Sequence, residues 1–227
     1  MWSITEAEWQ ALWVSLSVAG VSLMLSMPLA LLTGWALARW QFWGKTALDI
    51  LVHLPLVMPP VALGYLLLLA LGPRGPLGEP LEEWFGITVA FSWTGAVIVA
   101  AVSGFPLAVR AIRISAENVE ERLLQAARTL GKSAFGAFLT VALPLMVPGI
   151  VAGGVLAFAR ALGEFGATIT FAASIPGETR TLPLALHTFL QTPGGEDAAL
   201  RVLILSITVA VAALVTSEYL VRRSTRV

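Results

Sequence analysis

Residues 126–133 read AARTLGKS, and the reading of this stretch decides the fold. It approaches a phosphate-binding loop, G-x-x-x-x-G-K-[ST]. Gly131, Lys132 and Ser133 are in place, but Ala126 stands where the first glycine belongs. A phosphate-binding loop follows a strand and opens a helix, so that free backbone N–H groups face the phosphate. Here the flanks are helical. Val119, Leu123, Ala126, Ala127 and Leu130 recur at helical spacing as one apolar stripe, with Glu120, Glu121, Arg122 and Arg128 largely off it. Asn118 with Glu121 has the spacing of an N-cap and its N3 acid. Gly131 sits where a helix C-terminal glycine belongs. A second helix, Ser133 to about Leu143, leads into Pro144. The segment is helix–glycine–helix, and Ala126 lies inside the first helix with its N–H already bonded. No ATP site is expected in this chain.

Outward from this segment the chain is apolar. Of 227 residues, 57% are hydrophobic and 12% charged, with a mean hydropathy of +0.84. A soluble domain of this size needs more polar surface, whereas a lipid bilayer covers an apolar exterior. A net charge of zero argues against nucleic acid as a partner. The absence of cysteine excludes disulfides, thiolate metal sites and a cysteine nucleophile. Two histidines, His53 and His187, are too few for a histidine-rich metal cluster, so neither metal site nor catalytic group is assigned.

Uncharged runs mark the membrane spans, each needing about 20 apolar residues. Ala11–Ala38 carries no charge, Ile50–Pro73 only His53, Phe85–Val109 and Ser133–Ala159 none; Val202–Ser217 is a shorter run that Tyr219–Val221 extends. The expected fold is all-α, a single polytopic domain with spans at about 11–38, 50–72, 86–109, 141–163 and 201–221. The acidic flank MWSITEAEWQ and the long first run do not fit a cleaved signal peptide. With the N-terminus outside, ten of the fourteen basic residues fall on inner segments: Arg39, Lys45, Arg110, Arg113, Arg122, Arg128, Lys132, Arg222, Arg223 and Arg226. The positive-inside rule therefore puts the C-terminus and the 110–140 loop in the cytoplasm, and 164–200 outside. Within 164–200, Phe165–Gly177 reads as outer-leaflet or re-entrant structure. Leu182–Leu190 reads as a short interfacial helix between the turn signals IPGE and TPGGED.

The cytoplasmic segment resembles the signature of ABC importer permeases: EAA, three residues, G, nine residues, I-x-LP. Gln125, Ala126 and Ala127 are followed by three residues, Gly131, nine residues, then Val141, Ala142, Leu143 and Pro144. Gln125 replaces the acid and Val141 the isoleucine. In that family the segment is a coupling helix seated in a cleft of the ATPase subunit. The resemblance carries Glu117, Glu121, Gln125, Ala126, Ala127, Arg128, Gly131, Leu143 and Pro144 into this coupling role. LDILVHLPLVMPPVALGYLLLL (48–69), FPLAVRAIR (105–113), LAFARALGEFGATITF (156–171) and IPGETRTLP…TPGGE (175–196) are similar to the membrane subunits of molybdate importers. The resemblance implies a type I permease fold in the bacterial inner membrane and a homodimer of permease subunits. It also implies two cytoplasmic ABC ATPase subunits that carry Mg-ATP, and a periplasmic molybdate-binding protein. Sulfate permeases are similar in kind but usually longer. Tungstate is an alternative substrate. A proton-coupled secondary transporter using Arg160, Glu164 and His53 is a third reading, although no inverted repeat accompanies it.

Candidate path residues follow from chemistry in lipid. Pro55, Pro59 and Pro60 interrupt the second span, and Pro59 lies about 15 Å from its cytoplasmic end. The carbonyls freed there must be covered by protein or line a cavity, so a packing kink and a pore-lining role both stand. Gly149, Gly153 and Gly154 allow the fourth span to approach another helix. Arg160 and Glu164, at i and i+4, are expected to pair on one helix face, either as an outer brace or as a gate. Thr168 and Thr170 are neutral donors suited to a passing dianion. His53 is expected at the inner interface.

Overall fold

The computed structural model describes residues 4–224, with side chains through 216. Arg222, Arg223 and Arg226, counted above as inner charges, have side chains outside the described residues. Among the latter all regular structure is helical. The elements are α1 (Glu6–Arg39), α2 (Lys45–Val57), α3 (Pro60–Leu71), α4 (Gly78–Phe85), α5 (Trp93–Glu117), α6 (Glu121–Thr129), α7 (Ala134–Ala137), a π-helical turn (Phe138–Ala142), α8 (Leu143–Leu162), α9 (Gly166–Phe171), α10 (Leu182–Leu190) and α11 (Glu196–Ser224).

Three long helices form the core. Val14, Val18 and Ala19 of α1 pack with Ala96, Val97 and Ala100 of α5 at one end. Ala30 and Leu37 pack with Val109, Ile112 and Ala116 at the other. The two helices therefore run parallel. Met146 of α8 joins the second cluster and Ala161 the first, so α8 runs opposite to both. Small residues set the spacing. A Cβ on Gly149 would meet Ser115 Cβ at 2.2 Å, and one on Gly153 would meet the Ala108 carbonyl at 3.0 Å. Both glycines thus bring α8 onto α5, as anticipated. Gly154 has only ordinary contacts with Leu23 and Met27 of α1. Val202 of α11 packs against Ala11 and against Leu182 and Ala185 of α10.

Because α1 and α5 are parallel, the chain between them must return across the layer. It does so in two pieces. α2 begins beside the end of α5, where Arg113 NH1 lies 2.9 Å from Asp49 Oδ2. α3 packs beside the start of α5, in a cluster of Leu63, Val89, Ala90 and Val99. Between them the axis bends by 120°. The span expected as one helix over 50–72 is two half-helices. A residue before proline is pushed out of the helical region, and both Met58 (ψ 142°) and Pro59 (ψ 132°) are extended. Pro60 then occupies the first position of a new helix, where its missing N–H costs nothing. Among the described residues, four helices are long and apolar enough to cross a bilayer singly, and the bent pair makes a fifth where its two halves are counted as one span.

The third span also differs from expectation. It starts at Trp93, not 86, because Ser92 caps it by accepting the Gly95 N–H at 3.2 Å. It continues to Glu117, so the first eight residues of the expected 110–140 loop are still α5. The exposed Leu203, Ile204, Ile207 and Val211 of α11, with Leu25, Leu29 and Leu32 of α1, make an apolar exterior suited to lipid.

Candidate functional site

The turn after α5 is where the structure departs first from local reading. Asn118 is the C-cap of α5, not the N-cap of the next helix; Glu120 (φ −63°, ψ 129°) takes that position. Glu121, freed from a capping role, reaches Arg39 instead, with 3.1 Å between NH1 and Oε2. Arg39 NH2 also donates to the Ala116 carbonyl at 2.8 Å and to the Val119 carbonyl. These carbonyls lie at the end of α5 and in the turn, where helical partners run out.

α6 then divides the predicted stripe. Val119, Leu124 and Ala127 are buried against the chain's own core. Leu123, Ala126 and Leu130 face outward, Leu130 being 85% exposed, and Phe135 on α7 joins them at 68%. Gln125 and Arg128 are exposed on the same helix, as is Glu117 at the end of α5. Gly131 adopts φ +88°. Its N–H donates to the Arg128 carbonyl at 3.0 Å, and the Lys132 N–H to the Ala127 carbonyl at 3.1 Å. This is a Schellman closure. Ser133 Oγ accepts the Gly136 N–H at 3.0 Å and starts α7. The groups that would hold phosphate are therefore spent on helix ends, and the likeness to a nucleotide loop is a likeness of letters.

The second helix does not stop at Pro144. One helix runs from Ala134 to Leu162, 29 residues long. The π turn absorbs the proline: the Leu143 N–H donates to Phe138 O, five residues back. This widened turn relieves the carbonyl that a proline ring would otherwise strike. Leu143 is half-buried and Pro144 exposed.

At the opposite end, Arg160 NH1 lies 2.6 Å from Glu164 Oε2. They pair, but not on one helix, since α8 ends at Leu162. Glu164 is 2% exposed, and its Oε1 accepts the Ala167 N–H at 2.9 Å, which anchors the start of α9. α9 lies tightly on α3. A Cβ on Gly64 would meet the Ala167 carbonyl at 2.6 Å and Thr170 Cβ at 2.9 Å; one on Gly166 would meet Pro60 Cβ at 2.7 Å. The structure thus gathers Pro60, Glu164 and Thr170 around one helix–helix contact, with Pro59 exposed at its edge. Thr168 is buried on α9, and the Thr170 hydroxyl donates to the Gly166 carbonyl at 2.9 Å. His53 stands apart. Its Nδ1 lies 3.1 Å from Asp49 Oδ1, in an open cleft of about 480 Å³ with Arg110, Arg113 and Glu117. It does not join Arg160 and Glu164, so the three residues of the proton-coupled reading form no relay.

Sequence reasoning missed three long-range ion pairs. Arg39–Glu121 spans 82 residues, Asp49–Arg113 spans 64 and Glu8–Arg201 spans 193. No local pattern joins such residues. The one available signal was an isolated acid or base at the end of an apolar run. Among the described residues, no group of three or more His, Asp or Glu side chains is placed to hold a metal ion.

Known proteins match this arrangement. Residues 26–225 match the family model "Binding-protein-dependent transport system inner membrane component". The chain is 56% identical to the molybdenum transport system permease protein ModB of Escherichia coli (strain K12), over 97% of this chain and 96% of that protein. It is 52% identical to its Haemophilus influenzae counterpart, over 95% and 94%. A crystal structure of a bacterial alginate ABC transporter, in complex with an alginate pentasaccharide-bound periplasmic protein, superposes with a TM-score of 0.77 at 18% identity, over 96% of this chain and 80% of that one. At that identity the likeness is one of fold. By sequence match and by architecture, this chain belongs to the family of binding-protein-dependent transport system inner membrane components.

Proposed function

We propose that this chain is the non-catalytic permease subunit of an ATP-driven molybdate importer in the bacterial inner membrane. The observation that carries the reading is the likeness, over nearly the whole chain, to molybdenum transport permeases. Two copies form the pathway, since five crossings poorly enclose a hydrated anion. Two cytoplasmic ATPase subunits bind Mg-ATP and dock on α6 and the start of α7, where Leu123, Ala126, Leu130 and Phe135 present an apolar face that this chain leaves uncovered. A periplasmic molybdate-binding protein delivers the anion at the Glu8 end. The path passes the α3–α9 contact, with Pro59, Pro60, Arg160, Glu164, Thr168 and Thr170 as its candidate wall or gate.

The test is reconstitution in proteoliposomes with an ABC ATPase and a molybdate-binding protein from the same organism. Molybdate uptake should require ATP and both partners. Uptake by the permease alone, driven by a proton gradient, would overturn the reading. Uptake of sulfate in preference to molybdate would keep the machine and change its substrate.

A further inference from the structure

Arg39 ends α1, yet its guanidinium serves other helices. Its side chain is 18% exposed and binds Glu121 Oε2, the Ala116 carbonyl and the Val119 carbonyl. Glu121 is the first residue of α6, and the two carbonyls belong to the end of α5 and to the turn between them. The guanidinium also lies over the Trp35 ring, 5.6 Å from its centroid. Trp35 in turn meets Phe138 edge-on at 4.8 Å, and Phe138 is the first residue of the π turn. One side chain of α1 therefore touches the start of α6 and the end of α5. Through Trp35 it also reaches the turn at the base of α8.

A half-exposed ion pair by itself contributes little. A planar guanidinium held by a carboxylate, two carbonyls and an aromatic face has a defined orientation, and that orientation is what a lysine lacks. The π turn is the one departure from α geometry between Ala134 and Leu162, and such turns accommodate shifts of helix register. A push on α6 would move the carboxylate of Glu121, and Arg39 would carry it into α1 and onto Phe138. The far end of α8 leads to Arg160 and Glu164.

We infer that Arg39 is the positioning residue that transmits displacement of α6 to α1 and to the π turn of α8. The inference rests on the reading of α6 as the ATPase-docking helix. Spatial continuity alone does not establish coupling, so the test measures coupling. In proteoliposomes with ATPase and binding protein, the ATP hydrolysed per molybdate imported is compared across variants. Arg39→Ala should still co-purify with the ATPase and hydrolyse ATP, with the ratio raised at least about fivefold, the low end of typical allosteric coupling. Arg39→Lys, with charge but no planar fork, should fall between it and wild type. Glu121→Gln keeps both carbonyl bonds and alters only an exposed carboxylate, so folding is not at stake; its ratio should rise, but by less than in Arg39→Ala. An unchanged ratio in Arg39→Ala overturns the inference. If that variant fails to assemble, an unchanged ratio in Glu121→Gln overturns it instead. ATP-independent uptake by the unmutated chain would overturn the docking reading itself, before any variant is made.

Discussion

Arg201, near the start of α11, holds Glu8 in the first turn of α1: its Nε and NH2 lie 2.9 and 2.8 Å from the same Oε1. Glu8 is wholly buried, and its other oxygen accepts the Thr5 N–H at 2.9 Å. One carboxylate thus closes the start of the first span and fastens the last span to it. Removing one partner of a buried pair strands the other, whereas replacing both by apolar groups is often neutral. Glu8→Ala should therefore lower the melting temperature in detergent by several degrees and expose α11 to protease. The double variant Glu8→Leu/Arg201→Met should recover most of the loss. Equal melting temperatures for Glu8→Ala and the unmutated chain would show that α11 is held by apolar packing alone.

Gly131 tests the turn in the coupling segment. A Cβ there would meet nothing within 4 Å, so any effect of substitution comes from its φ of +88°. A left-handed residue other than glycine or asparagine costs roughly 1–2 kcal/mol. Gly131→Asn should keep ATP-driven uptake. Gly131→Val should abolish uptake and weaken ATPase association while membrane insertion stays intact. Normal uptake by the valine variant would sink the coupling role of this segment.

Topology is testable because the chain has no cysteine of its own. Lys132 and Thr192 are exposed and lie toward opposite ends of the core, and neither side chain caps a helix, unlike Ser133. With Lys132→Cys and Thr192→Cys made singly, an impermeant thiol reagent added to intact cells should label the Thr192 site alone. Labelling at Lys132 would invert the orientation and put α6 beyond reach of any cytoplasmic ATPase.

Glu164→Gln separates bracing from gating. Glutamine can still accept from the Ala167 N–H but gives up the charge that faces Arg160. A substitution shifts a conformational equilibrium only by its unequal effect on the two states. We expect the complex to assemble, with uptake reduced and more ATP consumed per anion. A lower melting temperature at an unchanged ratio would assign the pair to structure and remove Glu164 from the path.

What could be read in the letters was what depends on near neighbours along the chain. The apolar runs located the long apolar helices because the hydropathy of a helix is a sum over its own residues. Gly131 and Ser133 were legible as helix ends because a backbone turn and a cap are settled within four residues. Leu182–Leu190 was legible because turn signals bound it on both sides. Other features required the partner helices to be in place. Asn118 carries the pattern of an N-cap, but α5 runs on to Glu117 with Arg113 between Asp49 and Glu117, and Asn118 then closes α5 instead. The prolines at 59 and 60 announced an interruption. That it is a 120° break goes with α3 lying on α9, where Gly64 and Gly166 admit close approach. The pairs Arg39–Glu121 and Glu8–Arg201 join residues 82 and 193 positions apart. A charge at the end of an apolar helix must find a counter-charge, but which one it finds is decided by the packing of helices, and that packing is a property of the whole chain.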